Sequence, residues 1–560
     1  MTEYQHWLEN VSNDEDMLYE LQTMSEEEKK SAFSGNLTFG TGGLRGIIGA
    51  GTNRMNIYTV AKASQGLSDY LKKTYGDNIS ITIGYDSRIK SDVFARVAAT
   101  VFAANGITVY IWPQLTPVPT VSFATRYLKA SVGVMITASH NPSNYNGYKV
   151  YGSDGCQITT KAADDIMDEI EKLDIFTDVK MCDFNDAISK DLIMFIDDAV
   201  LSAFLKTVKA QSVLFGDKID TNISIVYSPL NGTGYIPITR ILTETGYTNI
   251  TLVEEQMLPD GHFPTCPHPN PETNEAMSLG IEYAQKNNAD LVLATDPDCD
   301  RVGIAIKNNY GEYIMLSGNE VGILLLDYIC SQREKHNMMP DDPVIIKTIV
   351  TTDMATQIAA FYGVRTIDVL TGFKFIGEQI GILEAHGSED SFIFGFEESC
   401  GYLTGRYVRD KDAVNAVYLI CEMFAYYKTR GVSLYEKLNE LYDRYGYCLN
   451  TLYNFDYTGF DGIEKIQKIM KSCQEKIVLG CKLANKTIKA VMDYNNGLNN
   501  LPKANVLQYI TEDDCSIIIR PSGTEQKLKI YINIKAKHKI DAEIAEQAII
   551  KELNEYLELS

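Results

Sequence analysis

Three times along this chain, short β-branched runs alternate with amphipathic stretches, and each time the last run passes straight into an unusual polar loop. In the first set ISITIGYD (79–86), GITVYIW (106–112) and VGVMITASH (132–140) predict strands. Between the first two, SDVFARVAATVFAANG predicts a helix stopped at Gly106. The second set, near 223–298, is ISIVYSPL, NITLVEE and DLVLATDPD, with a helix over GTGYIPITRILTETG. The third, between 344 and 399, is VIIKTIV, RTIDVL and SFIFGFEES. Alternation of this kind implies largely parallel α/β layers.

From about 448 the texture changes: CSIIIRPSGTEQKLKIYINIKA holds two alternating strands around a glycine turn, followed by a helix. The expected fold is therefore α/β, with four domains around a central cleft. Three related α/β domains carry mixed or parallel sheets, and the C-terminal domain is antiparallel α+β. The expected limits are 1–205, 206–315, 316–447 and 448–560. Each domain contributes one polar loop (TASHNP, DPDCDR, GFEES, RPSGTE), and ligands of open α/β sheets bind beyond the carboxyl ends of strands.

Composition narrows the function. The formal charge of −23, from 51 Lys plus Arg against 74 Asp plus Glu, repels nucleic acid, whose affinity comes largely from phosphate contacts to basic residues. An anionic small molecule must then be held by a few local cations, since screening acts within ~8 Å at physiological salt. No apolar run reaches the ~18–20 residues that span a bilayer; the longest candidate, Val321 to Ile329, is interrupted by Gly322 and Asp327. The acidic start is not a secretory signal. Eleven cysteines without a C-x-x-C pair favour reduced thiols and a cytoplasmic location.

The loops then speak as chemistry. Ser139 in TASHNPSNYNGYK (137–149) is not in a G-x-S-x-G elbow, so it is either a turn cap or a nucleophile activated by a metal or base. Asp296, Asp298 and Asp300 in DPDCDR repel one another unless a hard cation such as Mg²⁺ or Ca²⁺ sits between them. An EF-hand fails, because Arg301 and Lys307 stand where Gly and Glu are needed. Arg301 adds a phosphate-binding cation. In RPSGTEQ (520–526) a guanidinium, two hydroxyls and backbone amides in a glycine turn suit a phosphate dianion. Glu397 and Ser399 of GFEES face one side of an extended segment and can accept from sugar hydroxyls. FGTGGLRG (39–46) lacks the dinucleotide glycine spacing but can cradle phosphate, with Arg45 as its charge.

These four loops, in this order, resemble the domain motifs of the α-D-phosphohexomutases, and the resemblance spans nearly the whole chain. It implies that Ser139 is a phosphoserine whose oxygen joins Asp296, Asp298 and Asp300 around Mg²⁺, and that His140 and Lys149 handle protons. It implies sugar contacts from Glu397 and Ser399, and a phosphate pocket of Arg520, Ser522, Gly523 and Thr524. Lys411 in VRDKD resembles a basic substrate contact, Thr371 in TGFK resembles the specificity loop, and Lys374 lies beside it. FGTGGLRG, QMLPDGHFPT with PNPE, and TGFKFIG look like the subgroup of bacterial phosphoglucomutases and animal phosphopentomutase-type enzymes. Gln526 departs from the Pro that many members carry after TE, without removing a ligand.

The activity so implied is interconversion of glucose 1-phosphate and glucose 6-phosphate, with glucose 1,6-bisphosphate as primer and intermediate. Mannose or pentose phosphates, or an inactive sugar-phosphate-binding homologue, stay open as alternatives, as does a metal-dependent phosphatase. The expected partner is a small sugar phosphate, with no nucleic acid and no membrane, and the expected state is a monomer or weak dimer.

Overall fold

Short runs dominated by β-branched and other apolar residues become strands covered on both faces. VGVMI, LVLAT and VIIKT are buried at every position, the signature of a parallel layer sandwiched by helices. LQYIT near the C-terminus instead alternates buried and half-buried residues, as expected of an antiparallel sheet with one wetter face. The computed structural model describes residues 2–38, 43–457, 462–498, 501–522 and 526–559.

The first sheet contains β1 (Leu44–Ile47), β2 (Ser80–Tyr85), β3 (Thr108–Ile111), β4 (Val132–Ile136), β5 (Tyr145–Gly152) and β6 (Ile193–Phe195), in the order β1-β5-β4-β2-β3-β6. The second orders β7 (Ile225–Ser228), β8 (Ile250–Leu252), β9 (Leu291–Thr295), β10 (Val302–Lys307) and β11 (Tyr313–Leu316) as β11-β10-β9-β7-β8. The third orders β12 (Val344–Thr348), β13 (Arg365–Val369), β14 (Phe392–Glu397) and β15 (Gly401–Leu403) as β13-β12-β14-β15. The fourth orders β16 (Tyr447–Asp456), β17 (Lys482–Leu483), β18 (Lys486–Asp493), β19 (Leu507–Thr511), β20 (Ser516–Pro521) and β21 (Lys527–Ala536) as β16-β21-β20-β19-β18-β17. It is antiparallel throughout.

The expected fold class is therefore the observed one, and the three α/β layers share a plan that is hidden in the sequence. In each, two strands and the third that joins them are parallel, and the third then turns back into an antiparallel neighbour: β4 into β5, β9 into β10, β14 into β15. Every one of the three polar loops is that reversal. Each carries one non-glycine residue in the left-handed region: Ser139 at φ +53°, Cys299 at +54°, Cys400 at +60°. The predicted strand 132–140 consequently stops at Ile136. The helix Ser91–Ala104 stops as expected where Gly106 takes φ +77°.

The run Val321–Ile329 lies inside the helix Gly318–Lys335, capped by Ser317 and Glu320 and buried almost all round. Its Asp327 is matched by Lys437 at 3.0 Å and Tyr362 at 3.1 Å. Among the described residues, no helix is long and apolar enough to cross a membrane.

Packing divides the molecule differently from its sheets. One core runs unbroken from Trp112 through the second and third layers to Leu441. The helix Asp198–Lys209, which spans the expected 205/206 limit, is part of it through Phe204, Leu205 and Val208. The fourth sheet has its own core with the helix Lys539–Leu557. It meets the third layer through a small cluster in which Ile349, Val350 and Leu370 pack on Tyr494, Val506, Ile518 and Tyr531.

Candidate active site

Ser139 opens the β4–β5 reversal, and its left-handed backbone turns the hydroxyl away from the sheet toward the second domain. The side chain is 4% exposed, and its Oγ donates to Asp296 Oδ2 at 2.9 Å, with His140 Nδ1 at 3.2 Å. The loop is held from beneath by Arg88, which follows β2. Its guanidinium donates to the carbonyls of Ser139 (3.2 Å), Pro142 (2.8 Å) and Tyr145 (3.1 Å), and also to that of Asn141. Asp86 completes the floor, accepting from Thr137 Oγ1 at 2.6 Å and Ser91 Oγ at 2.7 Å. Arg45 reaches the same loop from β1, donating to Asn141 Oδ1 at 2.8 Å.

The β9–β10 reversal brings Asp296, Asp298 and Asp300 together, with one oxygen of each within 4.8 Å of the others. All three are at most 1% exposed. Two lysines from other domains neutralise them. Lys149 on β5 lies 3.0 Å from Asp298 and 3.5 Å from Asp300, and Lys411 lies 2.9 Å from Asp300. Burial, then Asp298 and Asp300, push Asp296 well above the usual carboxylate range. Burial also favours neutral Asp298, but Lys149 overcomes it and holds that carboxyl down. Lys149 is raised against the pull of burial by the same two aspartates.

Asp298 Oδ1 and Asp300 Oδ1 remain buried with no hydrogen-bond partner. Unused carboxylate oxygens in a triad that already gathers three carboxyl groups fit a hard divalent cation.

The loops also bond to each other. Val118 N–H donates to Asp298 O at 2.9 Å, Ala413 N–H to Cys299 O at 3.3 Å, and Val302 N–H to Cys400 O at 3.1 Å. The acidic loop is thus the hub through which the first three domains are joined.

From the third domain, Glu397 is 4% exposed and pushed up to about 7 by burial, against the opposing pull of Lys411 and Arg301. A Cβ on Gly401 would lie 2.5 Å from Lys411 Cδ and 3.0 Å from Glu397 Oε1, so the glycine lets those two groups approach. Arg301 donates to Glu272 Oε1 at 2.6 Å and to Ser399 O at 3.0 Å. Thr371 lines the cleft with a buried hydroxyl lacking a hydrogen-bond partner. Lys374, in the helix Phe373–Ala385, is not among the lining residues; its ammonium sits 5.1 Å above the Phe375 ring.

The fourth domain supplies Arg520 and Ser522 to the wall; Ser522 N–H donates to Lys527 O at 2.7 Å. Gly523 and Thr524, expected in the phosphate pocket, lie outside the described residues. The cleft enclosed by all four domains has a volume of about 860 Å³.

With that geometry in view, the family models match in order. The phosphoglucomutase/phosphomannomutase alpha/beta/alpha domains I, II and III match residues 36–175, 202–311 and 317–445. A curated phosphoglucomutase of Staphylococcus aureus (strain USA300) is 36% identical over 545 residues, 94% of this chain and 95% of that one. The chain belongs to the phosphoglucomutase/phosphomannomutase family.

A second such relative, a phosphoglucomutase of Staphylococcus saprophyticus, is 34% identical over 544 residues, covering 95% and 96% of the two chains. The open form of the Paramecium phosphoprotein pp63/parafusin (phosphoglucomutase) shares the family fold at TM-score 0.69 and 18% identity, covering 94% of this chain and 96% of that one. A phosphoglucomutase/phosphomannomutase family protein of Burkholderia thailandensis does so at TM-score 0.68 and 16% identity, covering 92% and 97%.

Within this phosphoglucomutase/phosphomannomutase chain, sequence reasoning missed Asp86, Arg88, Thr137 and Glu272. Arg88 had a signal: D-S-R directly after a buried strand, on the same sheet end as Ser139. Glu272 closes the PNPE motif, but its partner Arg301 lies 29 residues away, so the motif did not reveal the pairing.

Proposed function

We propose that this chain is a phosphoglucomutase, interconverting glucose 1-phosphate and glucose 6-phosphate through a phosphorylated Ser139 and a bound 1,6-bisphosphate. The observation that carries the reading is the Ser139 hydroxyl at 2.9 Å from Asp296, within a buried triad of aspartates already balanced by two lysines. Phosphorylation would add about −1.5 to −2 charge there. Asp296, Asp298 and Asp300 would then hold Mg²⁺ together with the phosphorylated Ser139. When bound, the cation neutralises the cluster and polarises the transferring group.

The remaining work belongs to the chain. Phosphoryl transfer depends on positioning and charge stabilisation more than on covalent help. Arg88 fixes the backbone that presents Ser139. His140, whose Nδ1 is 3.2 Å from that hydroxyl, and Lys149 handle the proton of the attacking sugar hydroxyl. Glu397, Ser399, Thr371 and Lys411 contact the sugar. Arg520, Ser522, Gly523 and Thr524 hold the phosphate that is not being transferred, with Arg45 and Arg301 at the opposite wall. Eleven unpaired cysteines support a reducing cytoplasmic setting.

The test is to incubate the full chain with Mg²⁺ and labelled glucose 1,6-bisphosphate, then map the label and follow glucose 1-phosphate conversion in a dehydrogenase-coupled assay. Label on Ser139 and conversion are expected; release of inorganic phosphate without isomerisation overturns the reading.

A further inference from the structure

A second cavity, of about 570 Å³, shares no lining residue with the cleft. Parts distant in the chain meet around it: Arg126 of the helix Val118–Tyr127, Thr207 of the helix Asp198–Lys209 and Arg333 of the helix Gly318–Lys335. The base of the β14–β15 hairpin completes the wall, with Glu389 just ahead of β14 and Arg406 just beyond β15. Small-molecule pockets fall in the range of roughly 300–1,000 Å³, so this one has room for more than a single ion.

Most of the charges here are matched. Arg126 and Arg409 both pair with Glu384, at 2.9 and 2.5 Å. Arg406 pairs with Glu389 and, at 3.4 Å, with Asp390. Arg333 differs. One of its N–H groups donates to Met338 O at 3.0 Å, but its Nε is buried with no hydrogen-bond partner, and it makes no ion pair among the described residues. Burial pushes that guanidinium down from its ordinary pKa, with no carboxylate opposing the shift. Glu389 Oε2 is likewise buried without a partner. Buried polar atoms left unpaired are uncommon in folded proteins, and this cavity has a cationic donor and an anionic acceptor on its wall.

We propose that the cavity binds a small hydroxylated oxyanion, a carboxylate or a phosphate monoester, whose anionic group meets Arg333 and whose hydroxyl donates to Glu389. The site is separate from the cleft and does not depend on the mutase reading. Arg333 sets the sign of the ligand, because the other guanidiniums already face carboxylates. Glu389 sets its second feature: an ionised carboxylate only accepts hydrogen bonds, so an anion with no donor of its own would be repelled there.

The experiment is calorimetry on the full chain with glycerate and glycerol 2-phosphate at millimolar concentration, and with propionate, which lacks the hydroxyls. At least one of the first two should bind, and which of them does tells carboxylate from phosphate ester. Arg333→Gln should weaken that binding roughly 10- to 100-fold, the range for losing one charged hydrogen bond. Arg520→Ala, which alters the cleft, should leave it within about 3-fold. Melting temperature is the folding control, and if Arg333→Gln does not fold, Arg333→Met is read by the same criteria. The proposal is overturned if neither hydroxylated probe binds wild type, or if binding is unchanged in Arg333→Gln. Loss of binding in Arg520→Ala also overturns it, since the probe then sits in the cleft, as does propionate binding as tightly as glycerate.

Discussion

At one end of the cleft Ser139 and its three aspartates are 0–4% exposed and matched by lysines from two other domains, and they sit on a core continuous through three domains. At the other end Arg520 keeps an unsatisfied Nε, on a sheet with a separate core. That sheet touches the third layer mainly through the cluster around Val350 and Tyr531. The difference follows from what each end must do. Transfer of a charged group needs dipoles and charges already in place, because reorganising them during the reaction costs rate. Capture needs a wall that admits ligand and then closes on it. A buried end on a continuous core and a lightly attached end on a separate core answer those two demands.

The comparison can be broken most directly at the first end. Ser139→Ala removes the proposed phosphate carrier and should lower kcat by about 10⁴-fold or more, as loss of a nucleophile does elsewhere, in the coupled assay. Residual turnover near wild type would mean that this buried end is only structural. Removal of divalent metal with EDTA should reduce activity to background and added Mg²⁺ should restore it. Activity indifferent to chelation would leave the orphan oxygens of Asp298 and Asp300 without the proposed ligand.

Arg88→Met should cost about 10²-fold in kcat, because a displacement near 1 Å at the reacting group is enough for that. KM should move little, since Arg88 contacts the Ser139 loop backbone and not the cleft. Arg520→Ala, at the capture end, should raise KM about 10- to 100-fold while kcat falls less. If Arg520→Ala instead lowered kcat alone, the two ends would not be separable in the way their packing indicates.

Much of this was legible before any coordinates. Short β-branched runs between amphipathic stretches marked the parallel strands, and alternation marked the antiparallel ones, because burial on two faces or one leaves its mark in residue order. Ser139, the aspartate triad, Glu397 and Arg520 stood out because polar clusters after buried strands are costly without a task. Lys374 lies off the cleft lining while Thr371 lies on it, a difference that adjacency in sequence does not record. Arg88 was missed because its partners are backbone carbonyls, so its only signal was the D-S-R that follows a buried strand.

The sequence by itself determined the elements, the three α/β sets, the antiparallel end and the four loops that matter, because periodicity and turn chemistry act over a few residues. Only the tertiary structure decided that Ser139 Oγ meets an aspartate 157 positions away, that Lys149 and Lys411 both close on that acidic loop, and that Arg520 faces Lys529. Such meetings depend on how whole layers stack and on which strand ends point inward. That is set by packing summed over hundreds of side chains, and no local pattern records it.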